Sequence, residues 1–456
     1  MLPIGPGQPA ATPIATLDQA IAFLERLIRP DPTPYAARAA LAQRPVRALL
    51  ERVGAPQRGL PAVHIAGSKG KGSTALLVET LLRAAGQRTG TFTSPHLQRW
   101  TERFRLDGAE ITPAQLVAVL ERLRPQVAAQ QRAQPELAPG FFDVLTAAAL
   151  LLFREADVDW AVMETGIGGR LDATTVVEAA VCCITSIELE HTDKLGHSLA
   201  AIATEKAGII KPGVPLVVGR LPAEALTVVE RRTTELGAPL WRLDREIGLA
   251  VEPMAGGQRL SLTLPGCEAV AEFPIPGRHL ADNAALAAAC VAHLLPPAAW
   301  RAAVEQGLAQ ARLPGRCEML RRAPWVIADG AHTVASLRAL AETLAQLPAG
   351  ECHLLLSVTA GKELEALCAA LPSPLARITA TQADPGRSLP AAMLAATLRR
   401  LLPGVPVHTV DDPHQALREA LGALPADGLL AITGSVYMAG IGRELLAQDD
   451  SGRLPS

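Results

Sequence analysis

Gly67-Ser68-Lys69-Gly70-Lys71-Gly72-Ser73-Thr74 sits between the apolar run Ala62-Val63-His64-Ile65-Ala66 and a segment, Thr74 to Ala85, with apolar residues at helical spacing. The pattern predicts a strand, a glycine-rich turn and a helix that stops before Gly86. Glycines let backbone N–H groups turn toward an anion without Cβ clashes, and the helix N-terminus adds partial positive charge there. Such a turn cradles phosphate. Lys71 is placed to neutralise β- and γ-phosphates, and Ser73 or Thr74 to face a magnesium ion. The loop is a shortened variant, because the glycine expected five residues before the Gly-Lys pair is Ile65 here. Taken alone, the string also reads as a surface turn with two solvated lysines.

The chain has 456 residues, too many for one ordinary core, and its layout favours two domains. Hydrophobic residues make up 49% and charged residues 19%, a globular composition. Aromatic residues are only 3%, which leaves core volume to Leu, Ala and Val and disfavours a stacking platform for single-stranded nucleic acid. A net charge of -2 argues against a partner held through many phosphates, though not against a mononucleotide. Seven cysteines, with no C-x-x-C pair, read as reduced-compartment usage, and Cys182 and Cys183 as buried small hydrophobes. No signal peptide is evident at the N-terminus, and the longest strongly apolar run, Val144 to Phe153, is far short of the ~20 residues of a membrane helix. A cytoplasmic protein is expected.

The first dozen residues, rich in Pro, Gly and Ala, read as flexible, and Asp31-Pro-Thr-Pro34 as irregular. Thr16 and Gln19 form a capping box for a helix to about Arg29. Strands are expected at Ala62–Ala66, Arg88–Thr93, Trp160–Met163, Val181–Ser186 and Pro215–Val218, with helices from Thr74, Pro113 and Asp143. Continuous apolar runs favour a parallel sheet covered on both faces. A hairpin-like region from Trp241 to Phe273 turns at Gly256-Gly257 and Pro265-Gly266, before an Ala-rich helix from Asp282 to Leu295. Strand-like runs at Trp325–Ala328, His353–Val358, Arg377–Thr381, Pro406–Val410 and Leu429–Thr433 then describe a smaller Rossmann-like α/β domain.

Open α/β sheets bind ligands at strand C-termini, and four clusters fall there. Ser94, in Thr93-Ser94-Pro95-His96-Leu97, offers a hydroxyl to a metal, and a capped turn explains it as well. Glu164 leaves an apolar strand into Thr165-Gly166-Ile167-Gly168-Gly169-Arg170-Leu171-Asp172, resembling the acidic metal position of phosphotransfer enzymes. His191, in Glu188-Leu-Glu190-His191-Thr192-Asp193, is open to a metal role or a loop-capping one. Lys206, in Glu205-Lys206-Ala207-Gly208, reads by itself as a solvated helix lysine.

Together the strings GSKGKGST, TSPHL, METGIGGRLDAT, ELEHTDKLG, EKAGIIKPG, LPGR, ADGAH and TGSVYMAG resemble, in order, those of folylpolyglutamate synthases and bifunctional dihydrofolate synthases of the Mur ligase superfamily. The likeness runs from about Leu17 to Leu446. It implies an α/β fold with a P-loop central domain of Mur-ligase type, residues 1–312, and a Rossmann-like C-terminal domain, residues 313–456. Carried over position by position, it gives Gly70, Lys71, Gly72 and Ser73 to ATP phosphates, and Ser94, Glu164 and His191 to magnesium. Lys206 resembles the family's carbamylated lysine, a change that turns a cation into a carboxylate-like anion. Asn283, Arg316 and Asp329 resemble the nucleotide contacts, with His332 as a catalytic group in the same loop as Asp329. Phe142, Asp143, Leu171, Asp172 and Ala173 match the pterin-side loops.

The implied activity is ATP-dependent addition of L-glutamate to a reduced folate, or to dihydropteroate, through an acyl phosphate. Two magnesium ions, no nucleic acid or membrane partner, and a monomer complete that picture. Departures lie at Ser68-Lys69, where Thr-Asn is common, at Glu190 for Asp, at Thr175 and Thr333 for Asn, and at Phe141-Phe142-Asp143 for Tyr-Phe-Glu. None removes a proposed metal or phosphate group, but they leave the choice of pterin substrate open. The rival readings are a P-loop kinase, a related ligase acting on another acid, and a nucleotide-binding regulator without turnover.

Overall fold

The computed structural model describes residues 13–28 and 41–449. The N-terminal dozen residues and Asp31–Pro34 lie outside the described residues. Two compact units emerge, one from the stretches up to His96 and Trp100–Arg242, the other from Leu97–Arg99 and Leu243 onward.

In the first unit, helices α1 (Leu17–Arg26) and α2 (Arg44–Arg52) precede β1 (Pro61–Ala66) and α3 (Lys71–Ala84). The expected capping box starts α1, with Thr16 Oγ1 accepting the Gln19 N–H at 3.3 Å and Gln19 Oε1 accepting the Thr16 N–H at 3.2 Å. Strands β2 (Thr89–Phe92), β3 (Phe104–Leu106) and β4 (Ala109–Glu110) follow, then α4 (Pro113–Ala133), α5 (Phe141–Glu155), β5 (Trp160–Glu164) and β6 (Glu178–Ile184). Helix α6 (Leu199–Lys206), β7 (Leu216–Val218), α7 (Ala223–Leu236) and β8 (Leu240–Arg242) complete the unit.

The eight strands form one sheet in the order β4-β3-β2-β5-β1-β6-β7-β8. From β2 to β8 every neighbouring pair is parallel, and only the β2–β3 and β3–β4 pairs at one edge are antiparallel. The continuous apolar runs have the expected cause. Residues such as Val63, Ile65, Val162, Cys182 and Cys183 are buried, and apolar clusters built on α1, α2, α4 and α5, and on α6 and α7, cover the sheet. Val144 to Phe153 is buried within α5, and no helix among the described residues is long and apolar enough to cross a membrane.

Helix α3 starts at Lys71, three residues before the apolar spacing begins. Gly70 adopts φ 82° and turns the chain straight into the helix, so Lys71, Gly72 and Ser73 make its first turn. Likewise α5 starts at Phe141, because Asp143 Oδ2 caps it by accepting the Gly140 N–H at 2.8 Å.

In the second unit the hairpin-like region is a three-stranded antiparallel sheet of β9 (Gly248–Met254), β10 (Gly257–Leu264) and β11 (Cys267–Phe273), followed by α8 (Arg278–Ala292). A six-stranded sheet has the order β12-β13-β17-β14-β15-β16, from Glu318–Arg322, Trp325–Ala328, Leu429–Thr433, Cys352–Leu356, Arg377–Ala380 and Val407–Thr409 respectively. It is parallel except for β12, which pairs antiparallel with β13.

Candidate active site

At the end of β1 the backbone passes through Gly67 at φ 150°, where a Cβ would stand 1.9 Å from Thr185 Oγ1. Only glycine fits so close an approach. The segment after β6 holds the loop from behind. Thr185 Oγ1 donates to the Lys69 carbonyl at 2.5 Å, Ser186 Oγ accepts the Lys69 N–H at 2.9 Å, and Ser68 Oγ accepts the Glu188 N–H at 2.9 Å. Gly70, the N-cap of α3, has no side chain to cap the helix, so the first-turn N–H groups are left as a ready anion seat.

Lys71 Nζ donates to the carbonyls of Gly67 at 2.8 Å and Ser68 at 3.4 Å. Lys206, the last residue of α6, is 1% exposed and donates to the same Gly67 carbonyl at 2.9 Å and to Glu190 Oε1 at 3.0 Å. It is therefore no solvated helix lysine. Burial, and after it the charge of Lys71, pushes its ammonium down to about 8 against the pull of Glu190. Burial acts to raise the Glu190 carboxyl, but Lys206 and Lys71 prevail and hold it below the usual carboxylate range. Lys69 adds a longer contact to Glu190 at 3.5 Å. The loop is thus ringed by three lysines, two of which share one carbonyl oxygen.

Glu164 ends β5, is 3% exposed, and accepts the Ser94 N–H on Oε2 at 2.8 Å. That oxygen lies 3.2 Å from where a Cβ on Gly72 would stand, so the carboxylate presses against the first turn of α3. His191 is exposed, caps the one-turn helix Thr192–Leu195 with φ 47°, and is held below its usual pKa by desolvation, with Lys194, Lys71 and Lys206 reinforcing and Glu190 opposing. The buried Glu164 carboxylate against the first turn of α3 is a hard oxygen ligand of the kind magnesium takes.

The loop from Gly166 to Ala173 is fixed from within. Asp172 Oδ2 accepts the N–H groups of Gly166 and Ile167 at 2.9 and 3.2 Å, and Oδ1 accepts the N–H and hydroxyl of Thr174 at 3.0 and 2.6 Å. Burial raises its pKa against those donors. Phe142 closes over the same loop, since a Cβ on Gly166 would meet its ring at 2.8 Å, and Phe142 packs on Phe92 with centroids 5.6 Å apart. Asp143 caps α5, and the buried Ala173 and partly exposed Leu171 flank Asp172.

Two features escape sequence reading. His64, fully buried in β1, lies with Nε2 2.8 Å from Thr174 Oγ1. Because Thr174 gives its hydroxyl proton to Asp172, it must accept from His64, which fixes the Nε2–H tautomer. Burial, then the charge of Lys211, lowers the His64 pKa to about 3, so the ring is neutral. A histidine inside an apolar strand was the available signal. The second feature is a cluster in which Arg103 Nε donates to His96 Nδ1 at 2.9 Å and the guanidinium lies 5.2 Å from the Trp100 ring and 5.8 Å from Phe141.

In the second unit, Asp329 follows β13 and is 6% exposed, with Oδ2 accepting the Cys317 N–H and Oδ1 the Ala331 N–H, both at 2.7 Å. Arg316 packs beside it, its Nη1 2.6 Å from where a Cβ on Gly330 would stand. His332 Nδ1 lies 2.8 Å from the Gly330 carbonyl, and Asn283 is buried in α8. The structure therefore brings Arg316, Asp329 and His332 together in this unit, and Lys71, Ser94, Glu164, His191 and Lys206 around the first unit's strand ends. Two departures keep their local work: Thr333 caps the helix Val334–Leu344, accepting the Ser336 N–H at 3.3 Å, and Thr175 donates to the Gly169 carbonyl at 2.6 Å.

Comparison with known proteins follows the same lines. The Mur ligase middle domain profile matches residues 142–291, and the profile described as Mur ligase, glutamate ligase domain matches residues 315–436. A dihydrofolate synthase/folylpolyglutamate synthase of Mycobacterium tuberculosis is 38% identical over 89% of this chain and 90% of its own length. The chain belongs to the folylpolyglutamate synthase/dihydrofolate synthase family. As a member it is a ligase of Mur type with the α/β fold of that family. The folylpolyglutamate synthase of M. tuberculosis complexed with ADP superposes with a TM-score of 0.84 at 35% identity, covering 97% of this chain and all of the other. An FPGS–AMPPCP–folate complex gives a TM-score of 0.78 at 28% identity, covering 94% and 99%.

Proposed function

We propose that this family member joins L-glutamate to a reduced folate, and to dihydropteroate, at the expense of ATP, releasing ADP and phosphate. The observation that carries the site assignment is the glycine loop ringed by Lys69, Lys71 and Lys206, with Glu164 against the helix turn that would hold the triphosphate. A carboxylate resists nucleophiles because of its charge, so its oxygen must first become a leaving group. The substrate carboxylate attacks the γ-phosphorus while Lys71 neutralises the charge spread over the phosphoryl oxygens, ADP departs and an acyl phosphate forms. The glutamate amine attacks the acyl carbon, loses a proton, and phosphate leaves as the amide closes.

Ser94, Glu164 and His191 are the residues we assign to magnesium, which when bound screens the triphosphate. Asn283, Arg316 and Asp329 are assigned to the nucleotide, His332 to catalysis, and the loops of Phe142, Asp143 and Leu171–Ala173 to the pterin. We keep the functional division at residue 312/313, supported by the start of the glutamate ligase domain match at residue 315, although chain contacts divide after Arg242. Seven free cysteines support a reducing, cytoplasmic setting, and we read the protein as a monomer.

The test is phosphate release with ATP, L-glutamate and, in separate reactions, dihydropteroate and tetrahydrofolate. Release requires both the pterin acid and glutamate; turnover without glutamate rejects the ligase reading. A second result follows from the His64–Thr174–Asp172 chain. His64→Leu withdraws the donor to Thr174, a loss of about 1–3 kcal/mol at a buried partner. It raises KM for the pterin acid about tenfold in steady-state kinetics and leaves KM for ATP within about twofold. His64→Gln, which keeps a donor, restores much of the loss.

A further inference from the structure

A groove in the second unit is unused by the reaction above. It measures about 510 Å³ and is lined by Arg312, Arg321 and Arg322 together with Ile275, Leu313 and Met319. That volume lies within the roughly 300–1,000 Å³ of small-molecule sites. It runs along β12, the outer strand of the six-stranded sheet, which among the described residues has no strand on its far side.

The charge balance of the groove is one-sided. Its acid, Glu318, is committed elsewhere, accepting the Gly315 N–H at 2.8 Å and pairing with Arg443 at 2.7 Å. Among the described residues no carboxylate pairs with any of the three arginines. Arg312 donates to the Ala311 carbonyl at 2.9 Å, and Arg322 to the Ala255 carbonyl at 2.9 Å while lying 6.0 Å from the Trp325 ring. Arg321 is half-buried, and its Nε, itself buried, has no hydrogen-bond partner among the described residues. A buried donor without an acceptor is disfavoured, and guanidinium forks match carboxylates two oxygens at a time.

The groove is not purely cationic, and this selects among anions. Ile275, Leu313 and Met319 give it an apolar wall that a bare phosphate leaves uncovered. A chain that alternates methylene pairs with carboxylates covers the wall and meets the guanidiniums. Taking the ligase reading above as given, we propose that this groove binds the oligo-γ-glutamyl chain of substrate or product, apart from the site where the new amide forms. Each added glutamate contributes one α-carboxylate and two methylenes, so occupancy strengthens as the chain lengthens.

Calorimetric titration of the whole protein with tetra-γ-glutamate, without pterin or nucleotide, tests it. Saturable binding to the wild type is expected, weakened at least about tenfold by Arg321→Gln and by the exposed pair Arg312→Gln/Arg322→Gln. In kinetics these variants keep kcat and KM for monoglutamyl tetrahydrofolate. Should Arg321→Gln fail to fold, the exposed pair decides alone. No binding to the wild type, equal binding to the variants, or equal displacement by pyrophosphate overturns the proposal. Failure of the wild type to ligate monoglutamyl folate overturns the ligase reading instead, and the titration still decides the groove.

Discussion

Lys71→Met lowers kcat/KM for ATP by about 10²–10³-fold while leaving the fold intact. The first half follows from position. Lys71 opens α3, directly after the glycine loop, and its ammonium lies against the loop carbonyls rather than against an acid of its own. An incoming triphosphate offers it far more negative charge than two carbonyl dipoles do, so the lysine exchanges weak partners for strong ones as the ligand arrives. In phosphoryl transfer, charge stabilisation is most of what a protein contributes, and one donor aimed at the transferring group commonly carries 10²–10³-fold. The second half follows from the partners lost. Both carbonyls belong to the loop itself, so methionine, with a similar stem and no charge, breaks no contact that holds β1 or α3 to the sheet. Thermal unfolding and ATP-dependent phosphate release, measured together, check it: a variant that stays folded and retains near wild-type rates removes Lys71 from the reaction.

The large elements were legible because their causes are local. Val63, Ile65, Val162 and Cys182 lie in continuous apolar runs, which buried parallel strands require, and Thr16 with Gln19 writes a helix start in four residues. Strands β3 and β4 were not legible: at three and two residues they are too short to show a period, and only the pairing of β3 with β2, and of β4 with β3, makes them strands at all. Within the site, the glycine loop announced itself through Gly67, Gly70 and Gly72, whose spacing has few uses besides close backbone approach. What holds the loop did not. Thr185 and Ser186 arrive from the next strand over, and their hydroxyls look like any others in the sequence. The His64 to Asp172 chain is hidden for the same reason, since its ends are brought together by the pairing of β1 with β6.

Lys206 shows the same gap most sharply, and its substitution has the second large effect. In sequence it is one more lysine near the end of a short helix; in the fold its partners come from 139 and 16 residues away, and it has almost no solvent. Two ammonium groups, of Lys71 and Lys206, share the Gly67 carbonyl, an arrangement that like charges oppose. Carbon dioxide adds only to a neutral amine. With the ammonium brought down from 10.5 to about 8, roughly half the Lys206 side chains are neutral at pH 8, against well under about one per cent of ordinary lysines. The neutral fraction falls as pH drops below 8 and rises above it, so carbamylation at fixed dissolved carbon dioxide follows the same direction. The carbamate we propose on Lys206 would replace the cation by an anion and so remove the repulsion at the shared carbonyl. Lys206→Met therefore lowers ligation by about 10²-fold or more, on the scale of losing one preorganised charge. Carbon-13 NMR of wild-type protein in labelled bicarbonate shows a carbamate carbonyl that Lys206→Met lacks. Protein depleted of carbon dioxide loses activity and regains it with bicarbonate, whereas the variant responds to neither. A variant as active as the wild type, or a carbamate signal that survives the substitution, ends the assignment of Lys206.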